Sequence, residues 1–223
     1  MSGGFVGVDG CRRGWVAVTL DAEGARFAVV GRIAPIAVSG AARVMVDMPI
    51  GLPETGYRAC DLAARQILGP ARSRVFLGAR RPLLAHVADY AAANAWAKQD
   101  GKGISVECWN LLPKIAEVDA VITPALQARV LECHPELVFQ RLNGGAALPP
   151  KRTPEGLRLR RALLAAAGFD ALDRWLAALG GSGARADDLL DACVLALAAR
   201  APLGPVDCAP EVDARGLRME IWR

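Results

Sequence analysis

The sequence predicts an α/β fold on a mixed, partly parallel sheet, and three observations carry that prediction. Short strand-like runs joined by tight turns fill the first third of the chain. An uninterrupted apolar strand run follows at 44–47, and beyond residue 58 the pattern turns helical, returning to a strand-like run near 126–133. Strands joined by a few residues must pair antiparallel, whereas a long helical connection allows parallel pairing. At 223 residues the chain can bury roughly 70–75% of its unfolded surface as one domain. With 53% hydrophobic and 22% charged residues, disordered and fibrous classes are excluded.

Taken in order, residues 5–9 form a short buried run, and Gly10 and Gly14 bracket a turn into a second strand at 15–20. A hairpin turn at 21–24 leads to a third strand at 26–33. Residues 44–47 are apolar enough for both faces of an interior strand. Helices are expected at 58–68, stopped by Gly69-Pro70, and at 83–98. Ser105 caps a third, running to about residue 119. Residues 126–133 read as a strand, Pro135 starts a helix, and 144–154 form a Gly- and Pro-rich loop. Helices follow at 155–167, 169–179 and 186–200, with 217–222 as a last edge strand. One domain thus spans 1–223, with a helical insertion at 58–122.

The charge balance is mildly basic: 27 Lys and Arg against 23 Asp and Glu, or +4. It is unevenly spread. Residues 58–81 hold six arginines (Arg58, Arg65, Arg72, Arg74, Arg80, Arg81) and one acid, Asp61; residues 151–161 hold five bases and only Glu155. Such patches point to an anionic partner. The six cysteines include no CxxC pair, and two histidines are too few for a structural zinc site, so reduced, buried thiols are expected. The start, Met1-Ser2-Gly3-Gly4-Phe5, lacks a basic leader, and no stretch reaches the ~18 apolar residues of a membrane span. A cytoplasmic protein is the expectation.

Three groups of acids stand out. Asp9 and Asp47 end two apolar strands, where open α/β sheets place their ligands, although each could equally accept hydrogen bonds from its own following turn. In Asp187-Asp188-Leu189-Leu190-Asp191-Ala192, Asp188 and Asp191 share one face of the late helix. Helix capping explains Asp187 well, but Asp191 heads a stretch that is apolar nearly all round. Glu132-Cys133-His134-Pro135-Glu136 is the third group, with Glu132 and His134 on one strand face. Converging carboxylates without Cys/His pairing describe a hard-cation site, Mg²⁺ or Mn²⁺ rather than zinc. Two ions about 3.5–4 Å apart in such a site support phosphodiester hydrolysis. The Pro- and Gly-rich 48–56 loop beside Asp47 offers a weaker signal, a phosphate cradle of backbone amides without Walker spacing.

These stretches, with Gly7-Val8-Asp9-Gly10-Cys11-Arg12-Arg13-Gly14-Trp15, Asp47-Met48-Pro49-Ile50-Gly51-Leu52-Pro53, Lys114-Ile115-Ala116-Glu117-Val118-Asp119 and the closing Gly216-Leu217-Arg218-Met219-Glu220-Ile221-Trp222, resemble the predicted ribonuclease H-like nucleases catalogued as domain of unknown function 429. The resemblance keeps order over almost the whole chain. It implies a ribonuclease H-like fold: a five-stranded mixed sheet whose first three strands are antiparallel, followed by C-terminal helices. Asp9, Asp47, Asp188 and Asp191 match the superfamily's metal ligands.

The leading expectation is therefore a Mg²⁺- or Mn²⁺-dependent nuclease acting on nucleic acid. Asp9 would bridge the metals, with Asp47, Asp188 and Asp191 completing the ligands. Glu136 or His134 would orient or protonate the leaving oxygen, and Glu132 is a further catalytic candidate. Lys114 and the six arginines at 58–81 are candidate phosphate contacts. A second expectation is an actin-like or sugar-kinase-like phosphotransferase, which needs two such domains and would require a homodimer here. A third is a non-catalytic nucleic-acid-binding module. With 5% aromatics there is no evident base-stacking platform, which disfavours single strands.

Overall fold

The computed structural model describes residues 3–223. Met1 and Ser2, read above for a leader, lie outside them. β1 (Phe5–Cys11), β2 (Gly14–Asp21), β3 (Gly24–Val30), β4 (Arg43–Val46) and β5 (Val130–Glu132) form one sheet in the order β3-β2-β1-β4-β5. β1, β2 and β3 pair antiparallel, while β4 and β5 run parallel to β1. This is the mixed sheet that the connection lengths dictate.

Helices cover both faces. Against one face, Val6, Val8, Trp15, Val44, Val46 and Val130 pack on Leu112, Ile115 and Val118 of α4 (Val106–Val121), with α1 (Ala34–Ala37) and α3 (Tyr90–Gln99) beside it. Against the other, Val16, Val18, Met45 and Leu131 meet α8 (Ala186–Arg200). Outside α8 lie α5 (Pro135–Leu142), α6 (Pro154–Ala166) and α7 (Leu172–Ala177). α8 is therefore covered on nearly every side, as its all-round apolar sequence requires. α2 (Ala59–Leu68) builds a smaller core with Leu137, Val206 and Ile221. Among the described residues no helix is long and apolar enough to cross a membrane. All six cysteines are unpaired, five buried and Cys208 half-buried.

Gly7 fixes how closely α8 sits on β1. A Cβ there would lie 2.1 Å from the Ala192 carbonyl oxygen and 2.1 Å from the Ala196 nitrogen. Helix and strand thus touch backbone to backbone, which only glycine permits.

Four expectations are corrected. Residues 83–98 are not one helix: a 3-10 turn at Arg81–His86 ends, and Asp89 restarts the chain by accepting from the Ala92 amide at 3.0 Å. The 126–133 run begins as a 3-10 turn, Leu126–Ala128, leaving only Val130–Glu132 as strand. The 169–179 helix shrinks to α7. Residues 217–222 form no strand, only isolated bridges such as Cys133 to Trp222. Their amides are taken by other partners: Leu217 donates to Asp213 and Arg218 to the Gln127 side chain.

Candidate metal centre

Parallel pairing of Val8 with Val46 brings Asp9 and Asp47, one step on, to neighbouring strand ends. The Asp47 amide extends the ladder by donating to the Val8 carbonyl at 3.0 Å. Alternation then sets the side. Gly7 faces α8, so Asp9 does; Met45 packs on α8, so Asp47 does. Asp191 precedes Ala192, the helix residue that touches Gly7. One carboxylate oxygen from each of Asp9, Asp47 and Asp191 lies within 4.8 Å of the others.

Asp9 is 7% and Asp191 2% exposed, so their charges are held largely away from water. Asp9 Oδ1 accepts from the Gly10 amide at 2.7 Å, so the turn-bonding alternative holds for this residue as well. Asp191 Oδ1 is buried without any hydrogen-bond partner. Burial, and then the charges of Asp47 and Asp191, push the Asp9 carboxyl well above the usual carboxylate range. Burial likewise raises Asp47 and Asp188, and pushes Asp191 up to about 6. The cation opposing them is Lys151, whose Nζ lies 2.5 Å from Asp191 Oδ2. Burial pulls the Lys151 ammonium down, but Asp191, Asp9 and Asp47 more than reverse that and hold it charged.

Sequence reasoning missed Lys151 as a site residue. Its signal was indirect: three acids bordering buried segments demand a cation, but the 151–161 patch offers five bases, and only the folded chain selects one.

Of the remaining candidates His134 and Glu136 line the same pocket as Asp47 and Asp191, but all are engaged by other partners. Asp188 accepts from the Arg185 amide at 2.8 Å and caps its own helix start. Glu132 faces the other side of the sheet, in register with Val46, where Arg58 holds both its oxygens at 2.6 and 2.7 Å. Because β5 stops at Glu132, His134 shares no strand face with it. His134 instead caps α5: its Nδ1 accepts from the Glu136 amide, and its Nε2 bonds the Arg74 carbonyl, so Nε2 carries the proton. Glu136 is gripped by Arg160 through both oxygens and by Arg74. Neither His134 nor Glu136 has a free atom suited to proton transfer.

The expected phosphate contacts are also largely spent within the protein. Arg58 is 2% exposed and paired with Asp61 and Glu132; Arg80 is 1% exposed and paired with Asp100. Arg81 binds Asp119 and Asp213, Arg74 binds Glu136, and Arg65 donates to the Val75 carbonyl. Lys114 donates to the Gly14 carbonyl and sits 4.5 Å over the Trp15 ring. Only Arg72 of the six arginines is exposed and unpaired among the described residues. The 48–56 loop is no free cradle either: the Ile50, Leu52 and Gly56 amides donate to Glu132, Asp213 and Asp100.

The trio fits a small hard cation. All its donors are oxygens, opposite ligands of an octahedral Mg²⁺ stand about 4.2 Å apart, and Asp191 Oδ1 lacks any other partner. Asp9 and Asp191 each spend one oxygen within the protein, on the Gly10 amide and on Lys151, so the trio offers fewer free oxygens than a full ligand set for two ions.

A family model described as "Protein of unknown function (DUF429)" matches residues 7–215. Among curated proteins and among solved structures, no significant match is found.

Proposed function

The chain belongs to the DUF429 family, and on that premise we propose that it is a divalent-metal-dependent nuclease of ribonuclease H-like fold. The strand order β3-β2-β1-β4-β5, with two strands parallel to the first, supports the fold assignment. One observation carries the function: three carboxylates converge at the ends of two parallel strands and on α8, with one buried oxygen, Asp191 Oδ1, unsatisfied. Buried acids of one sign are costly unless a cation compensates them. Asp9, Asp47 and Asp191 are the ligands, and Mg²⁺ or Mn²⁺ is the ion their chemistry selects. Bound there, the ion supplies positive charge where a scissile phosphate gathers negative charge.

The chain's own residues supply the rest. Lys151, paired with Asp191, offsets part of the trio's charge and would place a cation beside a phosphate held there. Exposed Arg152, adjacent to it, extends that positive edge. Nucleic acid, being a polyanion of phosphodiesters, is the substrate class this arrangement suits.

Calorimetric titration of Mn²⁺ into the wild type and Asp9→Asn, followed by cleavage assays on DNA and RNA, tests the proposal. Binding to the wild type, lost in Asp9→Asn together with cleavage, is expected. A wild type that binds no Mn²⁺ with or without nucleic acid overturns it, and tight Mg²⁺-dependent ATP binding would favour a phosphotransferase instead.

A further inference from the structure

A pocket of about 350 Å³ is lined by two of the acid trio. Asp47 and Asp191 line it together with Lys151, Arg152, Phe76 and the acid Glu107. Phe76 is 42% exposed, the only aromatic among the large exposed apolar side chains of the described residues. It follows the 3-10 turn Gly69–Arg74, whose last residue is fixed to Glu136 and the Leu148 carbonyl. An exposed aromatic ring in the lining of a charged pocket offers a face on which a flat ligand can stack. The volume is near the lower end for small-ligand sites, roughly 300–1,000 Å³. That room suits one nucleotide, and a base can enter it to stack only when it is unpaired.

We propose that this pocket takes a single nucleotide of an unpaired strand, its phosphate against the acids and bases of the lining and its base stacked on Phe76. The proposal rests on the metal-site reading for where the phosphate lies, but Phe76 assigns the base independently. Stacking tolerates any base, so the site reads strandedness and not sequence. The low aromatic content argued against single strands; one ring in the right place reverses that.

The test uses AMP and inorganic phosphate as probes, titrated into the wild type, Phe76→Ala and Phe76→Trp, with and without saturating Mn²⁺. The wild type is expected to bind AMP about tenfold more tightly than phosphate, and Phe76→Ala to lose that about tenfold preference while binding phosphate and Mn²⁺ as before. Phe76→Trp should restore AMP binding and show quenching of the added indole. An unpaired oligothymidine should displace AMP, and a blunt duplex should not. Equal affinities for AMP and phosphate in the wild type, an unchanged Phe76→Ala, or equal displacement by duplex would each overturn the proposal. Failure of Mn²⁺ to bind, with the AMP preference intact, would sink the metal reading alone.

Discussion

The sheet places acids on both sides of the same edge, and the two sides treat them in opposite ways. On the α2 side, Glu132 and Asp61 are buried but each oxygen is met by Arg58, with the Ile50 amide adding a further donor to Glu132. On the α8 side, Asp9, Asp47 and Asp191 share one ammonium, Lys151, and one carboxylate oxygen goes without a partner. Saturation by a rigid five-donor guanidinium makes a structural joint. Incomplete compensation by a flexible amine leaves one buried carboxylate oxygen without a donor, the feature on which the proposed metal site rests. Burial and charge alone do not separate the two; the count of donors does.

Removing the cation from the saturated side should have the largest effect. Arg58→Met strands two buried carboxylates, and urea denaturation should show a loss of about 3–5 kcal/mol. A loss under ~1 kcal/mol would mean that the pair is not a joint. Adding a cation to the other side comes next: Mn²⁺ at about a hundred times its Kd should stabilise the wild type by about 2.7 kcal/mol, with no such gain in Asp9→Asn. Calorimetric melting reads both.

Smaller, and opposite in sign to Arg58→Met, is Asp9→Asn in the metal-free protein. The folded pKa of Asp9 lies above its unfolded value of 3.8, so stability falls as pH rises through that window. Asparagine removes the cost and should add about 1 kcal/mol at pH 7. A destabilised Asp9→Asn would erase the contrast between the two sides. Least of all, Asp213 belongs with the saturated acids. It is buried, yet the amides of Leu217, Leu52 and Arg215, with Arg81, hold its pKa below 3.8. Its contribution is therefore present above the unfolded pKa and lost as pH falls through the folded one. Asp213→Asn should flatten the acid limb of the stability profile, and an unchanged limb would remove Asp213 from the set.

Local pattern reaches some of this and not the rest. Asp9, Asp47 and Asp191 were legible because each interrupts an apolar run, a conflict visible within a few residues. The antiparallel start was legible because its turns are short. The arginine patch misled, since its members pair with Asp100, Asp119, Glu132 and Asp213, partners 20 to 132 residues away that a local charge count cannot see. Glu132 misled because β5 ends at it and the chain turns at once into α5, so His134 leaves the strand, and because its partner Arg58 lies 74 residues away. Lys151 and Phe76 come from loops, where no periodicity marks a role.

The contact at Gly7 has a consequence for which ions the centre admits. Side chains between a helix and a strand can repack and let the two drift apart; two main chains already touching have no slack. Asp9 and Asp191 hang from that seam, so their separation is a gauge set by the backbone. On the proposed metal reading, any cation bound between Asp9 and Asp191 must fit a separation that neither backbone can widen without opening the middle of the molecule.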